Sequence, residues 1–257
     1  MRIHLMFALL ISIFLVSANA QNATLTFGSQ EIPPFNQDQD GHAVGPFADI
    51  IKLICQSIQT DCVIETLPWR RVTAEVKQGR LSGGFPLVRY PEREQDFYLI
   101  GPVFYTFYAV YAGAGDTFQF HQAKDLAGYT IGAFGPSGTL NILERTTAGI
   151  SPVKIEMELN NLTVLKKLSV GRYGPKGLGF INRDVAQYLI SREHIANVHV
   201  AGEARREGYY LGLSRKSVSA DVAAQFTKAL TAIKQSGELA MILTKYGLVP
   251  TAERTND

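Results

Sequence analysis

Along this chain short apolar runs alternate with stretches in which apolar side chains return every three or four positions. The first rhythm suits buried strands and the second suits helices, so the alternation predicts an α/β layout built on parallel strands. Residues 25–28 read as a first strand. Pro46 suits a first helical position, and Phe47, Ile50, Ile51, Ile54 and Ile58 follow at helical spacing. Residues 63–65 give a second strand. Pro68 then opens a helix with Trp69, Val72 and Val76 on one side, and Gly79 closes it. Residues 85–87 give a third strand.

The stretch 104–112 is long, apolar and aromatic, and predicts a strand that leaves this first unit. A second unit follows. It has strands at 129–133, 153–157, 177–181 and 198–200, with a Gly/Ser loop at 135–139 opening a helix that buries Leu140 and Leu143. Asn161 caps a helix with Val164, Leu165 and Leu168 inward, and Asn182 caps one bearing Val185, Tyr188 and Leu189. Residues 209–213 run back to the first unit. Ser219 then caps a helix with Val222, Phe226, Ala229, Leu230 and Ile233 inward. A last helix carries Leu239, Ile242, Leu243 and Tyr246 and ends at Gly247. The first lobe is therefore discontinuous, 21–108 plus 212–257, and the second, 109–211, is an insertion. Two crossing strands would form a hinge, and a ligand pocket is expected at the interface and at strand ends.

Residues 1–20 read as a secretory signal peptide: Arg2 and His4, an apolar core at 5–16, then Ala18-Asn19-Ala20 as a cleavage site. That core is too short for a spanning helix, which needs about 20 residues. The expected location is the periplasm. The formal net charge is +2, too small a field to favour nucleic acid or an anionic membrane. Cys55 and Cys62 are the two cysteines, set near a helix end and at a strand start, and an exported chain permits a structural disulfide between them. The rival, a metal or catalytic pair, lacks C-x-x-C spacing and a histidine near in sequence. No metal site or cofactor is expected.

The chemistry concentrates in Gly83-Gly84-Phe85-Pro86-Leu87-Val88-Arg89-Tyr90-Pro91-Glu92-Arg93. It reads as a strand running into a proline turn that presents Arg93, a rigid fork of donors suited to a carboxylate. Around it stand Ile32-Pro33-Pro34-Phe35, Gly41, Gly45-Pro46-Phe47-Ala48-Asp49, Gly79-Arg80-Leu81 and Asp96-Phe97-Tyr98. In order and spacing this series resembles the periplasmic solute-binding proteins of family 3, the polar amino acid-binding type of ABC importers. The resemblance spans nearly the whole chain after residue 20. It implies a two-lobed, periplasmic binding protein-like type II (Venus flytrap) fold and a small-molecule ligand, amino acid-like or an organic anion. It also implies a membrane permease as partner, and the chain is expected to be a monomer.

Arg93 matches the family arginine that pairs with a ligand carboxylate; its alternative is a surface ion pair with Glu92 or Glu94. The two upstream positions, usually small hydroxyl residues, are here Pro86 and Val88. Asn182 aligns with a position where Asp commonly accepts a ligand ammonium, and it also suits a helix N-cap. In the family the loop holding Ser137, Gly138 and Thr139 contacts the carboxylate; its alternative is an ordinary capped helix start. Phe35 and Trp69 are candidate aromatic walls or core. Phe85 and Val88 belong to the strand end, Glu31 is a candidate for a ligand cation, and Arg70 and Arg89 add positive charge. Two other functions stay open. A dehydratase-type enzyme on this fold would use Glu31, Glu92 or Asp184 as acid/base, and a ligand sensor would signal through a separate protein.

Overall fold

The computed structural model describes residues 24–248. The signal peptide expected at 1–20 lies outside the described residues. The elements in chain order are β1 (Leu25–Ser29), β2 (Gln37–Gln39), β3 (His42–Val44), α1 (Pro46–Ser57), β4 (Cys62–Thr66), α2 (Trp69–Lys77), β5 (Gly83–Val88), α3 (Pro91–Glu94) and β6 (Phe97–Gly113). After a single 3-10 turn at Ala123–Leu126 come β7 (Thr130–Phe134), α4 (Gly138–Thr147), β8 (Lys154–Glu158), α5 (Asn161–Ser169), β9 (Gly177–Asn182), α6 (Arg183–Arg192), β10 (Val198–Ser214), α7 (Ala220–Gln235) and α8 (Glu238–Lys245).

One sheet runs β4-β1-β5-β10-β6-β9-β7-β8. Its two wings are parallel, β1 with β4 and β5, and β7 with β8 and β9. Between them β6 and β10, 17 residues each, pair antiparallel along their length. At about 3.3 Å per residue such strands reach roughly 55 Å, enough to serve both lobes. The fold is thus two-lobed α/β, with the two crossing strands continuous through the sheet. After β10 the chain packs back against β1 and α1. The ring of Phe226 on α7 lies 5.9 Å from that of Phe27 on β1, and Lys245 and Tyr246 reach Asp49 on α1 at 2.8 and 2.9 Å.

Three details depart from the pattern reading. The segments 198–200 and 209–213 are one strand, because Glu203 to Gly208, which look like loop, pair with the aromatic middle of β6. Bulges at Val200/Gly202, Glu203/Arg205 and Tyr209/Leu211 let that strand bend. β6 also begins at Phe97 rather than 104; Gly101-Pro102 hides the strand, and the third bulge sits opposite it. Finally, Asn160 rather than Asn161 caps α5, its side chain accepting from the Thr163 amide at 2.8 Å. The short β2–β3 hairpin turns at Asp40-Gly41, both at positive φ.

Cys55 and Cys62 are bridged, joining the end of α1 to the start of β4. β5 and β10 approach closely at Gly83, where a Cβ would meet the Gly212 carbonyl oxygen at 2.5 Å. Among the described residues no helix is long and apolar enough to cross a membrane, and no group of three or more His, Cys, Asp or Glu could hold a metal.

Candidate functional site

β5 ends at Val88, Tyr90 holds an extended backbone, and Pro91 starts the one-turn α3. This turn folds the Arg93 side chain back toward the strand. Its Nη1 donates to the Val88 carbonyl oxygen at 2.7 Å, and the guanidinium lies 4.2 Å from the Tyr90 ring centre. Arg93 is 6% exposed. Among the described residues no carboxylate lies within ion-pair distance of it. Burial lowers its pKa from the ordinary guanidinium value, yet arginine keeps its charge in proteins. A buried cation without a carboxylate is costly and calls for an anion. Glu94, one of its expected surface partners, pairs instead with exposed Arg89 at 2.7 Å and holds that guanidinium's pKa up.

Arg93 lines a cavity of about 30 Å³ between the lobes. Gln30, Ile32, Trp69, Pro86 and Val88 come from the first lobe, and Phe134, Ser137, Gly138 and Thr139 from the second. Tyr108 of β6 and Tyr209 of β10 complete it. Trp69, Arg93 and Ser137 also face an outer groove of about 380 Å³, together with Arg70, Tyr90, Glu92, Leu140 and Glu144. A larger concavity, about 680 Å³, lies at the other end of β9 around Gly113 and Gly177 and includes none of the expected site residues.

On the second lobe, Ser137 caps α4: its Oγ accepts from the Thr139 and Leu140 amides and donates to the Phe134 carbonyl at 2.7 Å. The first turn of α4 therefore faces the cavity, and the positive end of a helix favours an anion there. The lobes meet here, since a Cβ on Gly138 would lie 3.1 Å from Cγ2 of Val88.

Behind the cavity a buried polar network ties the crossing strands to β9. The Tyr108 and Tyr209 hydroxyls are 3.0 Å apart. The Asn182 amide donates to Tyr209 at 3.0 Å and to Thr106 at 2.8 Å, and its oxygen accepts from the Asp184 and Val185 amides. Thr106 in turn donates to Asp184 at 2.6 Å. Burial raises the pKa of both tyrosines, so their hydroxyls stay protonated.

The structure thus brings together Arg93, Trp69, Val88, Ser137, Gly138 and Thr139, with Arg70 at the outer groove. It sets others apart. Phe35 is fully buried behind Tyr209, ring centres 5.0 Å apart, and Phe85 is fully buried and stacked on Phe47 at 5.3 Å. Asn182 is in the network rather than on the lining, with its helix cap and strand contacts using both ends of the amide. Arg89 is exposed beside Tyr210, outside the cavity. Glu31 is exposed at a separate opening with Pro33 and Leu159. Sequence reasoning missed Gln30, Ile32, Tyr108, Phe134 and Tyr209. Gln30 and Phe134 sit at the C-terminal ends of β1 and β7, a position that the strand-end rule flags.

The model of the bacterial extracellular solute-binding proteins, family 3, matches residues 25–249. No curated protein matches the chain. Solved structures match in fold. A histidine kinase sensor domain with similarity to periplasmic binding proteins is 16% identical, with 90% of this chain and 99% of that chain covered and a TM-score of 0.78. An ancestral arginine-binding protein bound to arginine is 20% identical, with 88% and 99% covered and a TM-score of 0.75. The arginine-, lysine-, histidine-binding protein ArtJ from Geobacillus stearothermophilus is 19% identical, with 90% and 99% covered and a TM-score of 0.74. With its family matched from the first strand to the end of the described residues, the chain belongs to the bacterial extracellular solute-binding proteins of family 3.

Proposed function

We propose that this solute-binding protein captures a small polar or anionic solute between lobe one (21–108 and 212–257) and lobe two (109–211), and that Arg93 holds the solute's negative group. The observation that carries the reading is a buried guanidinium that, among the described residues, has no carboxylate within ion-pair distance and lines the gap between the lobes. The helix start at Ser137–Thr139 supplies further attraction for an anion from the other side. The protein would act in the periplasm after export through residues 1–20 and pass its solute, as a monomer, to the permease of an ABC importer. Binding without turnover is the simplest use of this lining, where Arg93 is the one charged side chain.

A second reading, a ligand sensor that signals through a separate protein, is favoured by the likeness in fold to a histidine kinase sensor domain. A thermal-shift screen of amino acids and organic acids, followed by calorimetry of each hit, tests the capture. A hit recovered unchanged after incubation supports a binder; a hit converted to product sinks that and makes the chain an enzyme. Deletion of the permease gene of the importer that takes up the hit separates import from sensing, because a sensor's response would persist.

A further inference from the structure

Resting on the reading of Arg93 as the anion anchor, we propose that the cleft takes an organic acid whose carboxylate has no ammonium beside it, and that it discriminates against amino acids. An α-amino acid brings a cation within two bonds of its carboxylate carbon. That cation needs an acidic partner, and the inner cavity has none. Arg93 is the one charged side chain of that lining, and beside it stand Gln30, hydroxyls and apolar side chains.

The two β5 side chains that flank the anchor give nothing to an ammonium either. Pro86 and Val88 carry no side-chain acceptor, and the Val88 carbonyl already accepts from Arg93. Asn182, in the network behind the wall, spends its oxygen on two backbone amides. Nearby acids are engaged. Asp184 accepts from Thr106, Glu207 lies 2.5 Å from Arg205, and Asp96 pairs with Lys77 at 2.8 Å. Glu92 and Glu144 line the outer groove, not the inner cavity. An ammonium entering the cavity would meet the like charge of Arg93 and lose its water without a counter-ion. A plain carboxylate meets the reverse: a guanidinium fork, the start of α4 and the hydroxyls of Tyr108 and Thr139.

Isothermal titration of the full chain with matched pairs tests this. The pairs are succinate and L-aspartate, glutarate and L-glutamate, 3-phenylpropionate and L-phenylalanine, and butyrate and L-2-aminobutyrate. In a pair that binds, the member without the amino group is expected to bind at least about tenfold tighter and to lose at least about tenfold in Arg93→Gln. Arg93→Lys keeps the charge and serves if the glutamine variant fails to fold. An amino acid that binds as tightly as its partner, with affinity still lost in Arg93→Gln, overturns the selectivity and leaves the anchor standing. Affinity unchanged in Arg93→Gln overturns the anchor itself. Failure of every compound to bind counts against both.

Discussion

Arg93 donates from Nη1 to the carbonyl oxygen of Val88 at 2.7 Å, five residues back along the chain. That single bond fixes a long, flexible side chain at the end of β5, so the ordering of the guanidinium precedes any ligand. Replacement by alanine or glutamine removes the charged contact and should weaken solute binding by roughly 1.5–3 kcal/mol, more than tenfold. Calorimetry on the tightest hit measures it. Equal affinity in the variant would mean that the solute is held elsewhere.

Gly138 and Val88 form one contact between the lobes, and a Cβ at 138 would sit 3.1 Å from Val88 Cγ2. Gly138→Val adds bulk at that contact without demanding an unusual backbone. Affinity should fall at least about fivefold, close to 1 kcal/mol, chiefly through faster dissociation. The stability of the unliganded protein should stay near that of the parent. A variant that binds normally would show that closure at this point contributes nothing.

Asn182 gives a case in which stability, more than affinity, should respond. Asn182→Ala loses a helix cap, typically about 1 kcal/mol, and leaves Thr106 and Tyr209 short of a buried donor. The combined cost should be about 3 kcal/mol in denaturant unfolding. A loss below about 0.5 kcal/mol would show that water or a shift of α6 replaces the amide.

The Cys55–Cys62 bridge closes a short loop, sequence separation 7. Chain entropy assigns such a loop roughly 2.5 kcal/mol. The double alanine variant should therefore melt roughly 5–10 °C lower, given about 2–4 °C per kcal/mol at this size. An unchanged melting temperature would place the benefit of the bridge outside stability.

Glu207 supplies a pH test. Burial raises its pKa above the ordinary 4.5, although Arg205 lies beside it. The folded state then holds the proton more tightly than the unfolded chain. Its contribution is full below the ordinary value and is lost as pH climbs through the raised one. Glu207→Gln removes this slope, so the variant should gain most relative to the parent at about pH 8 and least at about pH 4. Melting curves over that range decide, and a parallel offset at every pH would contradict the assignment.

Much of the fold was legible because both rhythms are strong where elements are buried on one side. Phe47, Ile50, Ile51 and Ile54 face the core of α1 as their spacing implies, as do Val164, Leu165 and Leu168 on α5. The crossing strands were only half legible. Glu203, Arg205, Arg206 and Glu207 carry charges because one face of β10 meets solvent, and Arg206 lies 3.7 Å from the Tyr105 ring centre on that strand pair. A polar segment held by an aromatic neighbour strand has no local signature. Arg93 was legible through its proline turn, and Ser137 through the Gly/Ser loop. Tyr108 and Tyr209 were not, since a tyrosine in an apolar strand looks like core until pairing across 101 residues brings the two hydroxyls to 3.0 Å. Phe35 shows the reverse error, a strand-end aromatic that the hinge tyrosine covers.

A crystal structure of the chain with its tightest-binding acid tests the central claim most directly. The account predicts a carboxylate seated between the lobes, with both oxygens within hydrogen-bond distance of the Arg93 guanidinium and the start of α4 closing over it. A ligand seated in another cavity, with Arg93 still bonded only to Val88, would contradict it.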